Sequence, residues 1–360
     1  MIRALIYAAA AIALFVLAVR LFLRLHPVFG GRTTASDRAD YLARAAGYFD
    51  GSQFFYPAEW VLSGVHENRK RSKKQTAPQQ ALPVCQPDLA SDGAVTWLGH
   101  STVLVRMCGK TVLIDPVFSR RGSPFQWVGP KRFTEPSVGI SDLPPIDAVL
   151  ITHDHYDHLD MASIKALEPK TALFLVPLGV EKHVMRWVKE RSKIKALAWW
   201  EHCDLGALEI VCVPANHHTG RAMVDWKQTL PCAWLLRGGD RQILESSDTG
   251  FGGHFAAIRE RFGAVDLFLP DCGQYNINWH DWHMFPEEGA RAAEMLRAKA
   301  VMPIHWGAFV LSDHGWDDSP ERMTAACEEK GIEVVSPRLC ETMPLQGCSQ
   351  FQTRWWRNYE

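Results

Sequence analysis

Ile151-Thr152-His153-Asp154-His155-Tyr156-Asp157-His158-Leu159-Asp160 packs three histidines and three aspartates into ten residues. The run before it, Ala148-Val149-Leu150, is apolar, partly β-branched and preceded by Pro144-Pro145, so it reads as a buried strand. In layered α/β proteins the ends of such strands are where sites are built. His153 and His155, two apart, can point the same way, and Asp157 with His158 follow on the turn. Imidazole and carboxylate without cysteine suit zinc, with iron and manganese as competitors. Four donors this close exceed what one open tetrahedral site takes from a single loop, so two metals sharing the loop are expected. The bland alternative is a polar loop that is His-rich by accident. The complete His-x-His-x-Asp-His pattern at a strand end argues against it.

Composition sets the frame. The 360 residues fit one large or two ordinary domains, and 47% hydrophobic with 22% charged residues gives a folded chain with a substantial core. A net charge of −1 leaves no electrostatic footprint for nucleic acid, which is excluded as a partner. Fourteen tryptophans suit a membrane interface or an apolar binding surface, but also an ordinary core. The nine cysteines are odd in number, scattered and without a Cys-x-x-Cys pair. Cys212 and Cys232 lie inside apolar runs, where a free thiol behaves as a small hydrophobe. A reducing compartment is therefore expected rather than a disulfide framework.

Four segments are expected along the chain. Residues 1–25 form an anchor segment: Ala4 to Val19 is an unbroken apolar run, extended to Leu25 if Arg20 snorkels, and is then long enough to cross a bilayer as a helix. A signal peptide is the rival reading, but Arg20, Arg24 and His26 stand where a small-x-small cleavage site belongs. Arg20, Arg24, Arg32 and Arg38 outnumber Arg3, which puts the rest of the chain on the cytoplasmic side of the anchor. Residues 26–91 are connective, with a short helix expected over 41–48 and an aromatic patch at Phe54-Phe55-Tyr56. Five basic residues among positions 69–74 are either a solvated linker or a contact for anionic headgroups. Residues 92–345 carry period-2 strands at 95–98, 102–107 and 111–114. They then alternate strands (173–176, 208–213, 233–236, 242–244, 265–269, 300–303) with helices (181–191, 255–262, 286–298). Two packed sheets with helices outside follow from that order. Residues 346–360 read as a tail.

Later strand ends offer further donors: Asn216-His217-His218, Glu245-Ser246-Ser247-Asp248, and Ile304-His305-Trp306. Either His217 or His218 can turn inward, and the Pro-Ala-x-His spacing favours His217. Asp248 alone would pass for a turn-forming residue before Thr-Gly. Two metals side by side lower the pKa of a shared water, giving a hydroxide that attacks phosphorus or a carbonyl carbon.

His153-x-His155-x-Asp157-His158 resembles the signature of the metallo-β-lactamase superfamily. Further words narrow the resemblance: Trp97-Leu98-Gly99-His100-Ser101-Thr102, Asp115-Pro116-Val117-Phe118-Ser119, Gly129-Pro130-Lys131-Arg132-Phe133, Val176-Pro177-Leu178-Gly179 and Pro303-Ile304-His305-Trp306-Gly307. Together they are similar to the branch containing N-acylphosphatidylethanolamine-hydrolysing phospholipase D and its bacterial relatives, from about Asp92 to about His314. The resemblance implies an α/β, four-layer αβ/βα sandwich, here with an N-terminal membrane-anchor helix added. It implies two Zn2+ per chain. His153, His155 and His217 would hold one, Asp157, His158 and His305 the other, and Asp248 would bridge them. His100 and Asp115 would orient these ligands, His283 would act close to the substrate, and Gln126 and Trp127 would touch lipid. Asp157, Asp248 and His283 are then the catalytic set. His283 also stands just before a helix starting at Pro286, where capping is the plainer role.

The chain departs from the family at Pro270-Asp271-Cys272, where small or apolar residues are expected, and around 278–282. These lie on the substrate side, so the metal chemistry carries over better than the substrate does. The expected activity is cleavage of N-acylphosphatidylethanolamine to N-acylethanolamine and phosphatidate at a membrane, with a homodimer left open. The alternatives are a lactonase or other small-ester hydrolase, and an iron-containing redox or sensor protein.

Overall fold

The computed structural model describes residues 2–62, 76–222 and 225–359. Fourteen strands among them form two seven-stranded sheets. The first holds β1 (Ala94–Trp97), β2 (Val103–Met107), β3 (Lys110–Ile114), β4 (Ile146–Leu150), β5 (Thr171–Pro177) and β6 (Ile194–Leu197). The second holds β7 (His202–Leu205), β8 (Leu208–Pro214), β9 (Cys232–Gly238), β10 (Arg241–Glu245), β11 (Leu267–Leu269), β12 (Ala300–Val301) and β13 (Glu333–Val334). The last strand, β14 (Thr342–Pro344), returns to pair with β1. Each sheet opens as an antiparallel meander and ends in four parallel strands, β3 to β6 and β10 to β13.

Helices α1 (Ile2–Leu25) and α2 (Ala35–Arg44) precede the sheets. Parallel neighbours need crossovers. In the first sheet α3 (Met161–Leu167) and α4 (Glu181–Trp187) serve, and in the second α5 (His254–Phe262), α6 (Pro286–Leu296) and α7 (Asp318–Glu329). Strand alternation sorts the side chains. Val112, Ile114, Ala148 and Leu150 face the second sheet, while Leu113, Val149, Phe174 and Val176 pack with Ile164, Leu167 and Val184 of the helices. This is the expected αβ/βα sandwich.

The sheets are stitched along one edge. The backbone N–H of His305 donates to His100 O at 2.9 Å, that of His100 to Trp306 O at 2.9 Å, and that of Cys232 to Thr152 O at 3.0 Å. Onto this edge open the C-terminal ends of β3, β4, β8, β10, β11 and β12.

Several expected boundaries move. The helix placed over 41–48 begins at Ala35, because Thr34 and Asp37 form a reciprocal capping box. It ends before the turn at Ala45–Tyr48. The helix expected over 181–191 stops at Trp187, where Val188 turns extended. The strand expected over 300–303 pairs for two residues only, and Pro303 has no N–H to continue it. The basic run at 69–74 lies outside the described residues.

Both flanking segments pack on the sandwich. Tyr41 is buried and its phenol donates to Glu181, and Phe54 packs against Phe49 at 4.5 Å between ring centroids. The segment expected as a tail, residues 346–360, folds back as well where it is described, up to residue 359: Trp355 and Trp356 are buried on Trp306, and Trp356 Nε1 donates to Glu321 at 3.0 Å. Leu5–Leu25 of α1, by contrast, is long and apolar enough to cross a membrane and is exposed over most of its length, with Phe22 near its end against Phe29 and Phe125.

Truncating so well buried an indole leaves a cavity. Trp356→Ala should lower the unfolding free energy in denaturant titration by about 3–5 kcal/mol. A solvated tail would give a change within about 0.5 kcal/mol.

Candidate metal centre

Backbone strain marks the site before any side chain does. Among the described residues ten non-glycines hold left-handed backbone, and four of them line this edge: His100 (φ 55°), Asp115 (φ 42°), Ser247 (φ 61°) and His305 (φ 66°). Such conformations cost about 1–3 kcal/mol each and persist where the surroundings over-determine them. Asp115 follows β3 directly, the others lie two to four residues past the ends of β1, β10 and β12, and each re-aims a side chain toward the gap between the sheets. The loop after β4 closes with Asp160, whose carboxylate accepts from Ala162 N and Ser163 N and so starts α3.

Two groups of donors converge there. His153, His155, His217 and Asp248 offer atoms that all lie within 4.8 Å of one another, and so do His100, Asp157, His158 and His305. Asp248 stands between the groups: its carboxylate is 3.1 Å from His158 Nε2, 3.2 Å from His305 Nε2 and 3.9 Å from both His153 Nε2 and His217 Nε2. His217 is thus the inward residue of the pair. His218 lies between Trp226 and Trp282, at 4.8 and 4.5 Å, and burial beside His155 holds it neutral with a pKa of about 3.

The far ring nitrogens are tied down. His158 Nδ1 donates to Asp115 at 2.7 Å, and Asp115 is itself fixed by Thr152 N and the Thr152 hydroxyl. His217 Nδ1 donates to Trp282 O at 3.0 Å. His305 Nδ1 donates to Asp271 at 3.0 Å, and His283 Nδ1 donates to the other oxygen of the same carboxylate at 2.8 Å. His100 Nε2 contacts Asp157 at 3.0 Å.

Asp271 is the residue sequence reasoning undervalued. What read as a departure from the family is a fully buried carboxylate that orients two histidines. The usable signal is its position two residues past the end of β11, at the same edge as Asp115 after β3. Asp154, in the same loop as His153 and His155, has a structural role that the sequence pattern does not announce. It is buried and accepts from Gly220 N (2.8 Å) and the Thr229 hydroxyl (2.9 Å), with His183 Nε2 at 3.3 Å, which pins the underside of the loop.

Gln126 and Trp127, expected to touch lipid, lie outside the converging donors. Gln126 folds onto Arg121, accepting from its N–H at 2.9 Å and donating to its carbonyl at 3.1 Å. Trp127 is 78% exposed and stacks on Phe125. Neither shares a hydrogen bond or ring contact with the converging donors among the described residues. His283 does reach the centre, its Nε2 3.9 Å from Asp248.

The donor set fits metal ions. Buried His153 Nε2, His158 Nε2, His305 Nε2 and Asp248 Oδ1 have no hydrogen-bond partner within the protein, a costly arrangement unless something else satisfies them. Burial holds His153 and His217 well below the usual imidazole range, helped by the other imidazoles crowded beside them. His305, despite burial, is pushed up to about 10 by Asp248 and Asp271. Asp248 stays ionised against its burial because His158 and His305 face it. Nitrogen and oxygen donors in this number suit two divalent ions of the zinc, iron or manganese class.

The superfamily description of a beta-lactamase superfamily domain matches residues 110–306, a span holding His153, His155, Asp157, His158, His217, Asp248 and His305. The chain belongs to the β-lactamase superfamily. Over 288 residues this member is 38% identical to an uncharacterized protein of Mycobacterium tuberculosis, covering 78% of the chain and 77% of that protein. Over 268 residues it is 34% identical to N-acyl-phosphatidylethanolamine-hydrolyzing phospholipase D 1 of Caenorhabditis elegans, covering 68% and 73%. It superposes on Igni18, a metallo hydrolase of Ignicoccus hospitalis, with a TM-score of 0.53 and 21% identity, over 69% of the chain and 97% of that structure. It is a metal-dependent hydrolase of the metallo-β-lactamase fold.

Outer carboxylates of this kind typically govern metal affinity by about 10–100-fold. Asp271→Asn, which keeps the shape but frees His305 and His283, should lose metal to a chelator at correspondingly lower concentration. Elemental analysis after graded chelation checks this, and an unchanged curve would leave Asp271 a packing residue only.

Proposed function

We propose that this superfamily member is a membrane-anchored, zinc-dependent phosphodiesterase of phospholipase D type, converting N-acylphosphatidylethanolamine and water to N-acylethanolamine and phosphatidate. The observation that carries the reading is the 34% identity to the Caenorhabditis elegans phospholipase over 68% of the chain, together with the converging donors inside the shared span. His153, His155 and His217 would hold one ion, Asp157, His158 and His305 the other, with Asp248 serving both. Bound there, the ions would activate a water near neutral pH and polarise the phosphoryl oxygen.

The protein's own side chains supply position and proton control. Asp115 and Asp271 fix which nitrogen of His158 and His305 faces inward. Asp157, held by His100, and Asp248 keep negative charge where cations belong. His283, anchored through Nδ1, turns Nε2 toward the reacting centre, where it can hold a proton for the departing N-acylethanolamine oxygen. Trp226 and Trp282 beside His218 offer an apolar wall for an acyl chain. In this reading α1 crosses the bilayer, with the hydrolase body on the cytoplasmic side and the phospholipid as its partner.

The test is metal content by elemental analysis, with turnover of N-acylphosphatidylethanolamine in mixed micelles beside a panel of lactones and soluble phosphodiesters. The expected result is two zincs per chain and lipid cleavage that falls by at least about 100-fold in Asp248→Asn and His305→Ala. Lactone turnover without lipid cleavage would discard the phospholipase assignment, and iron with neither activity would discard hydrolysis by zinc.

A further inference from the structure

The exit of α1 from the protein is clamped. The last carbonyls of a helix have no partner within it, and here Arg186, an exposed residue of α4, supplies them. Its guanidinium donates to Leu25 O, to Arg24 O at 3.2 Å and, beyond the helix, to Gly30 O at 2.6 Å. Trp187 Nε1 adds a bond to Pro27 O at 2.7 Å. Gly30 and Gly31 let the chain lie against α4: a methyl at Gly31 would come 2.1 Å from Lys182 O.

A second arginine joins this clamp to the metal loop. Arg221 is buried, and its guanidinium binds Val28 O through Nε (3.1 Å) and Nη2 (3.0 Å). Its Nη1 donates to Asp154 O at 2.7 Å and Leu159 O at 2.8 Å, both within the loop that carries His153, His155, Asp157 and His158. The guanidinium also lies over the rings of Tyr156 and Trp187. Helix end and metal loop therefore share one rigid connection, where a tether would leave them independent.

An apolar helix exposed over most of its length has to be covered, and its length matches a bilayer. Where the clamp holds its end fixes where the bilayer surface lies. At that level Phe125 packs on Phe22 and Phe29, Trp127 stacks on Phe125 and is 78% exposed, and Val128 is 46% exposed. Exposed tryptophan beside the end of a span suits the headgroup layer. From there the same loop reaches the metal centre, since Gly122 abuts Asp157.

We propose that α1 is a rigid mount: Arg186 and Arg221 lock it to the metal loop, seating Phe125, Trp127 and Val128 in the headgroup layer so that the centre meets lipid in the membrane plane. Both arginines are positioning residues. The proposal rests on the reading of α1 as a membrane span and gives that span a second duty.

The test uses the full chain in vesicles of phosphatidylcholine and N-acylphosphatidylethanolamine, with part of the phosphatidylcholine brominated near the headgroup end of its acyl chains. The Trp127 signal is the fluorescence difference from Trp127→Phe. Two variants loosen the mount without touching the metal loop: Arg186→Ala, and two glycines inserted between His26 and Pro27. The unaltered protein should show quenched Trp127. Both variants should lose at least about half of that quenching, with turnover of vesicle lipid falling about ten-fold while bis(p-nitrophenyl) phosphate turnover and metal content hold. Equal quenching and equal vesicle turnover in all three proteins would reduce α1 to a tether and overturn the proposal, as would absent quenching in the unaltered protein. Should the quenching contrast hold while no lipid is cleaved, the mount stands and the phospholipase reading falls. Extraction of the protein from vesicles by alkali would remove the span and the mount together.

Discussion

The carboxylate of Asp248 is 2% exposed and lies within 3.9 Å of five imidazoles: His153, His158, His217, His283 and His305. The rest of the site follows from that crowding. An ionised carboxylate buried without compensation costs several kcal/mol. Protonating one or two histidines would neutralise it, but protonating all five would replace one problem with mutual repulsion. The protein divides the difference, holding His158 and His305 above the ordinary imidazole range and His153 and His217 well below it. Divalent ions would resolve the conflict by giving each inward lone pair a partner. Their binding energy would then become folding energy for the edge where the sheets meet.

Much of this was legible in the chain because it is local. A buried strand running into His-x-His-x-Asp-His states both the element and the chemistry within fifteen residues, and the same logic finds His217, Asp248 and His305 at later strand ends. What the chain hides is pairing at a distance. Asp271 orients His283 and His305, 12 and 34 residues away. Nothing in Pro-Asp-Cys announces that the side chain turns inward. The segments around the body were hard for the opposite reason. Trp355 and Trp356 look like any polar-flanked aromatic pair until β14 brings the chain back against Trp306. The early start of α2 was readable and missed: Thr34-Ala35-Ser36-Asp37 is a capping box with Asp in place of Glu.

Each group of donors draws on both sheets. His153 and His155 belong to the first, His217 and Asp248 to the second; His100, Asp157 and His158 belong to the first, His305 to the second. Ions at these positions would cross-link the sandwich along its open edge, yet the edge does not depend on them for its shape. The reciprocal backbone bonds between His100 and the His305–Trp306 segment, and the bond from Cys232 to Thr152, already set the separation of the sheets. Left-handed backbone at His100 and His305 is how the chain makes those bonds and still aims both rings inward. Geometry fixed by covalent strain and backbone hydrogen bonds is geometry that a ligand need not create, which lowers the cost of binding it. The centre is thus held ready by the backbone, with Trp282 against His217 and His218 on one side and Gly122 against Asp157 on the other.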